Sequence, residues 1–193
     1  MLGAAITAVA DYFFPDQCGA CDRALSPGES MCRPCLESCL VLEAACPRCA
    51  LPLAGTRSVE CARCRRGSQA LDRCVASFEY GGQMEVILKR LKFCRRPDIA
   101  RVLRPLLQER FERAAAGCDL LLPVPLFHRR HRIRGYNQSM RLLLPLARAA
   151  GHRVGRGVLE RRKDTAPQAT LAAAERSKNL EGAFTLRRSA KGR

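Results

Sequence analysis

The clearest hydrophobic periodicities lie in the second half of the chain. Residues 75–80, Val-Ala-Ser-Phe-Glu-Tyr, read as a short strand ended by the turn pair Gly81-Gly82. Met84, Ile87, Leu88 and Leu91 then recur at helical spacing, which predicts a helix with one apolar face and with Lys89, Arg90 and Lys92 toward its polar side. Pro97-Asp98 opens a second predicted helix. Asp98 is its candidate N-cap, Ile99, Val102, Leu103, Leu106 and Leu107 are its buried face, and Pro105 should kink or break it. After Gly117 comes Cys-Asp-Leu-Leu-Leu-Pro-Val-Pro-Leu, residues 118–126. A continuous apolar run of this length reads as the central strand of a parallel sheet, buried on both faces. A helical stretch then runs to Gly151, and His152 to Arg161 reads as another strand. Residues 162–182 are loop-like, with a short helix around Leu171–Leu180 that Gly182 ends, and Phe184–Leu186 begins a further strand. Residues 1–14 are expected to form an N-terminal helix.

The first third follows cysteines instead. Nine of the twelve cysteines fall before residue 65, and eight form four Cys-x-x-Cys pairs: Cys18/Cys21, Cys32/Cys35, Cys46/Cys49 and Cys61/Cys64. Two thiolates spaced this way on a tight turn take adjacent corners of a tetrahedron, so two such turns complete a four-sulfur zinc site and eight cysteines make two. Gly19, Pro34 and Pro47 are the residues such turns favour. A disulfide framework would need an oxidising compartment, and the N-terminus lacks the basic region of an export signal. A redox motif would be one pair after a strand, not four pairs in 47 residues. Two zinc ions in a cytoplasmic protein are therefore expected. The pairing stays open between sequential and interleaved sites. Cys39, Cys74, Cys94 and Cys118 read as small buried or half-buried apolar residues.

Composition sharpens this division. The 193 residues suit one domain plus a small satellite, and 47% hydrophobic with 27% charged residues is globular composition. No run reaches the roughly 18 apolar residues of a membrane span, so a soluble chain with no integral membrane segment is expected. The net charge is +16, and the whole excess lies after residue 70, because residues 1–70 hold seven basic and seven acidic side chains. Twenty-nine of the 34 basic residues are Arg, whose planar fork suits phosphate. With 5% aromatics and no Trp, any nucleic-acid contact should be chiefly electrostatic.

The charge is densest over residues 128–138, His-Arg-Arg-His-Arg-Ile-Arg-Gly-Tyr-Asn-Gln, read as a loop between the apolar strand and the next helix. A loop there lies at the carboxyl edge of a sheet and leads into a helix N-terminus, where free N–H groups attract phosphate. Gly135 allows close backbone approach and Asn137 can cap the helix.

In this order the motifs resemble the ComF family of bacterial competence proteins, with its ComFC-like and GntX-like members. The likeness rests on the cysteine pairs, Tyr80-Gly81, Leu91-Lys92-Phe93, Pro123–Leu126, Arg134–Gln138, Arg161 with Thr165 and Gln168, and Arg176 with Asn179. It implies an α/β protein: a double zinc ribbon over residues 15–70, then a partial type I phosphoribosyltransferase-like parallel-sheet domain over 71–193. It also implies a substrate or phosphate site of Lys92, Arg134, Gly135, Tyr136, Asn137, Gln138 and Arg161, under a hood carrying Gln168, Arg176 and Asn179. The family's acidic strand and phosphate loop do not occur before Arg193, so a C-terminally shortened, catalytically inactive member is expected. Magnesium with phosphoribosyl pyrophosphate would be cofactor and substrate only of a full-length form, acting in nucleotide salvage. The resemblance further implies a role with imported single-stranded DNA in transformation, and a competence helicase or translocase as partner. A third reading is a zinc-ribbon adaptor without catalysis.

Overall fold

The cysteine turns organise the backbone wherever they occur. The computed structural model describes residues 17–26, 28–55, 59–67 and 71–187, and the chain forms two compact units that divide between Arg90 and Leu91. The helix expected over residues 1–14 lies outside the described residues.

In the first unit one small motif is used twice. Gln17 bridges Ala24 across the first cysteine turn, and Ala45 bridges Pro52 across the third. Backbone bonds close each hairpin: Cys18 N to Arg23 O at 2.8 Å and Asp22 N to Cys18 O at 3.0 Å, then Cys46 N to Leu51 O at 2.9 Å and Ala50 N to Cys46 O at 2.8 Å. Both turns place a left-handed residue four positions after their first cysteine, Asp22 (φ 59°) and Ala50 (φ 56°). Asp tolerates that conformation better than Ala, whose Cβ crowds the neighbouring carbonyl. Ala50→Gly is therefore expected to stabilise the zinc-loaded protein by roughly 0.5–1 kcal/mol, seen as a raised thermal midpoint. An unchanged or lower midpoint would count against strain at this turn.

The second and fourth pairs open short helices, α1 (Arg33–Glu37) and α2 (Ala62–Arg65), with Cys32 and Cys61 at their N-caps. Arg90 grips the first turn through a bidentate pair with Asp22, at 2.5 and 2.7 Å. The strand expected over 75–80 shrinks to one bridge, Phe78 opposite Val41, flanked by Leu42 N to Ser77 O at 3.2 Å and Glu79 N to Leu40 O at 2.9 Å. The ladder stops there because residues 44–46 are already committed to the second hairpin. Helix α3 (Gly82–Phe93) follows the glycine turn as its stripe predicts, with Met84, Ile87 and Leu91 buried.

In the second unit α4 (Ile99–Ala115), α5 (His128–Arg134) and α6 (Gln138–Ala149) follow in order. Helices α4 and α6 pack together and bury Ile99, Val102, Leu103, Leu146 and Ala147. Asp98 does not cap α4. Its backbone is already helical, and Arg96 takes its carboxylate with Nε and Nη2 at 3.0 and 2.8 Å. Pro105 does not end α4 either, since Pro105 and Arg101, whose carbonyl loses its partner, both face water. The basic stretch expected as a loop is helix α5, which Gly135 closes in the left-handed region at φ 82°.

The strands depart furthest from expectation. Among the described residues, the 120–126 run pairs with another segment in strand fashion only at Leu121–Val154, a parallel bridge made by Leu121 N to Arg153 O at 3.0 Å and Gly155 N to Leu121 O at 2.9 Å. Leu120, Leu122 and Val124 are exposed rather than covered on both faces. The turn at Arg156-Gly157, with Gly157 at φ 70°, breaks the 152–161 segment and leaves β1 (Leu159–Arg161) as its regular part. Strand β1 pairs antiparallel with β2 (Phe184–Leu186), Glu160 opposite Thr185, and this is the one sheet among the described residues. Where the pattern predicts a parallel sheet, this unit is thus a mixed helix and strand structure. Between β1 and β2 lies α7 (Ala173–Leu180), ended by Gly182 at φ 61°. No described helix is long and apolar enough to cross a membrane.

Candidate functional site

The paired cysteine turns close into two sulfur clusters. The Sγ atoms of Cys18, Cys21, Cys32 and Cys35 all lie within 4.8 Å of one another, and so do those of Cys46, Cys49, Cys61 and Cys64. The grouping is sequential, two neighbouring turns to a site. Cys21 and Cys32 sulfurs are 3.7 Å apart, as are those of Cys49 and Cys61. A tetrahedron with 2.3 Å zinc–sulfur bonds has edges of about 3.8 Å. Donor set and spacing therefore fit two zinc ions, one per cluster.

Electrostatics inside each cluster favour a cation. Burial pushes the Cys18 thiol up, but the N–H groups of Cys32, Ala20 and Cys21 outweigh it and hold its pKa at about 6. The N–H of Cys61, 3.4 Å from the Cys46 sulfur, is the main cause of the same fall to about 6 there. Burial and neighbouring sulfurs push Cys64 up to about 12, and Cys35 is pushed up for the same reasons. The Cys64 N–H also lowers Cys61, so each cluster holds at least one thiol that ionises readily, while Cys35 and Cys64 keep their protons until a cation displaces them. Cys39 is buried beside the first cluster, its thiol donating to Cys35 O at 3.4 Å. Cys74, Cys94 and Cys118 are exposed, which corrects the expectation that they are buried or half-buried.

The candidate phosphate residues distribute over two cavities of the second unit. Lys92, Arg134 and Gln168 come together with Phe93, Cys94, Arg95, Arg130, Ile133, Pro167 and Ala169 around a cavity of about 800 Å³. Arg134 donates to Gln138 and stands over the Phe93 ring, 5.7 Å from its centroid. Gly135, Tyr136 and Asn137 instead line a second cavity of about 710 Å³, walled by Pro123, Leu126 and Leu159. Tyr136 is buried, and its hydroxyl donates to Leu91 O.

Asn137 caps α6 as its position predicts, accepting from Met140 N at 3.2 Å, and its Nδ2 donates to Val124 O at 3.0 Å. Asn137→Ala removes both bonds. It is expected to cost about 1–2 kcal/mol in chemical denaturation, and a loss under about 0.3 kcal/mol would deny the cap a role.

Arg161, Arg176 and Asn179 line neither cavity. Arg161 donates to Thr165 Oγ1 and stands over the Phe184 ring, Arg176 Nε donates to Leu171 O at 3.1 Å, and Asn179 clasps Ala166 through its N–H and its carbonyl at 3.2 and 3.0 Å. They brace the segment between β1 and β2. Two cavity residues, Arg95 and Arg130, carry little signal in the sequence. Arg130 is one of several cations in the basic cluster, and nothing in the sequence marks Arg95, which takes φ 52°.

The family model described as a double zinc ribbon domain matches residues 9–66. The DNA utilization protein YhgH of Salmonella typhi is 35% identical over 178 residues, covering 89% of this chain and 78% of that protein. Its Escherichia coli K12 counterpart is 33% identical over 185 residues, with 93% and 81% covered. Competence protein F of Haemophilus influenzae is 31% identical over 131 residues, 65% of this chain and 57% of that protein. No solved structure matches the chain.

Proposed function

Because the chain belongs to the ComF family of double zinc ribbon proteins, we propose that it binds single-stranded DNA through its second unit, in the uptake or use of imported strands. One observation carries this reading. Lys92, Arg95, Arg130 and Arg134 converge on one cavity whose described lining holds no carboxylate. Arg130 is paired with Asp164, at 3.6 Å, while among the described residues Arg95 and Arg134 donate to neutral acceptors, Ile133 O and Gln138. Charge left uncompensated in this way is suited to phosphate oxygens, and the Arg forks offer two parallel N–H groups each.

The ribbon supports this as a folded head. Zinc, when bound to four thiolates, supplies folding energy and leaves no open coordination position for substrate. Zinc-bound thiols suit a reducing compartment, so the reading places the protein in the cytoplasm.

Phosphoribosyl transfer finds less support. Neither cavity carries a carboxylate among its described lining residues. That lining offers magnesium no carboxylate ligand and so does not fit the metal.

A salt series on a fluorescent single-stranded oligonucleotide tests the proposal. Between about 50 and 200 mM salt, log affinity should fall against log salt with a slope of about −0.7 per phosphate engaged, hence about −2 to −3 for three or four phosphates. A slope near zero, or no binding at the low-salt end, rejects it.

A further inference from the structure

The basic cavity also displays apolar surface. Phe93, the last residue of α3, is 72% exposed, and Ile133 on α5 is 61% exposed. Both line the cavity that the cations line. An exposed Phe gives up the burial that ordinarily stabilises an aromatic ring, so its place among cations asks for a ligand.

The platform is held in position. Arg95 donates from Nε and Nη2 to Ile133 O at 3.2 and 2.9 Å, tying the end of α5 to the segment after α3. Arg134 lies over the Phe93 ring and is fixed by Gln138. Gln168 completes the cavity wall, its buried Nε2 without an acceptor among the described residues.

We propose that this cavity seats one unpaired nucleobase against Phe93 and Ile133, with the flanking phosphates on Lys92, Arg130 and Arg134. This rests on the DNA-binding reading above and deepens it: the ligand is a strand with an unstacked base, not a polyanion of any kind. A cavity of about 800 Å³ has the size of small-molecule and nucleotide sites. Stacking on an aromatic ring between cations is the chemistry by which single strands are held without sequence preference. In a duplex the bases are already stacked and paired, so the same cavity discriminates against it.

The test compares a labelled oligothymidylate with an abasic strand of equal length, on the full zinc-loaded chain. The intact protein should bind the thymidylate about tenfold more tightly than the abasic strand. In Phe93→Ala that ratio should fall toward one, and in Phe93→Tyr it should be retained. Phe93 is largely exposed, so the alanine variant is expected to fold, and its thermal midpoint checks this. If the intact protein binds both strands equally, or if Phe93→Ala keeps the ratio, the stacking site is wrong while the charge-based reading stands. If neither strand binds at low salt, both fall.

Discussion

Removing zinc from the intact protein is expected to unfold the ribbon while the unit after Arg90 keeps its structure. The reason is what fills the ribbon's interior. Among the described residues between Gln17 and Gly67 the buried apolar ones are Cys18, Ala20, Cys32, Cys35, Cys39, Leu42, Ala44, Cys46, Cys61 and Cys64. Leu42 is the one large hydrocarbon side chain among them, contributing about 1.5–3 kcal/mol. A four-thiolate zinc site contributes on the order of 10–16 kcal/mol. Sulfur is therefore the core, and without the cation it becomes a set of partly charged, mutually repelling groups. The second unit buries Ile99, Val102, Leu103, Leu146 and Ala147 and has no cysteine among its buried residues. Under a strong chelator, limited proteolysis should cut within residues 17–67 and spare 99–149. Elemental analysis should find two zinc ions per chain, one in Cys64→Ala, one in Cys18→Ala and none in the double variant, because the two ligand sets are separate. A metal-free chain that still resists cleavage across the ribbon would contradict this account.

Charge reversal at the basic cavity should have the next largest effect. Lys92→Glu with Arg134→Glu converts two attractive interactions with DNA into two repulsive ones, and affinity for a single strand near 0.1 M salt should drop by about 100-fold or more. The salt slope should shrink by about 0.7 for each phosphate that the variant no longer engages. Net charge alone predicts some weakening in a protein of +16, so a matched control matters. Arg104→Glu with Arg113→Glu changes the net charge by the same amount on the exposed side of α4, and should alter affinity by no more than about twofold. Equal losses in the two double variants would mean that the whole basic surface, not this cavity, attracts the strand.

Phe93 shows how a functional residue can be half legible. The stripe Met84, Ile87, Leu88 and Leu91 defines the buried face of α3, and an aromatic two positions beyond Leu91 falls off that face. The misplacement is visible in the pattern, but its partners are not. The hood shows the opposite case. Arg176 and Asn179 look like substrate residues beside Gln168 in sequence, yet Arg176 Nε bonds Leu171 O and Asn179 clasps Ala166, and of the three only Gln168 reaches the cavity. Strands were the least legible elements. The apolar run 120–126 reads as a central strand but forms a single bridge, because a ladder depends on a partner of matching length and the Arg156-Gly157 turn removes it.

The cysteine spacing, the helical stripes of α3 and α4, the Asn137 cap and the concentration of charge after residue 70 were all determined by the order of amino acids, because each depends on neighbours a few positions away. Tertiary structure decided which thiols gather into each four-sulfur cluster, and which four of the 34 basic residues line one cavity with Phe93. Those outcomes join residues tens of positions apart, such as Lys92 with Arg134 and Gln168. Such meetings follow from how packed helices place their ends, which no local pattern encodes.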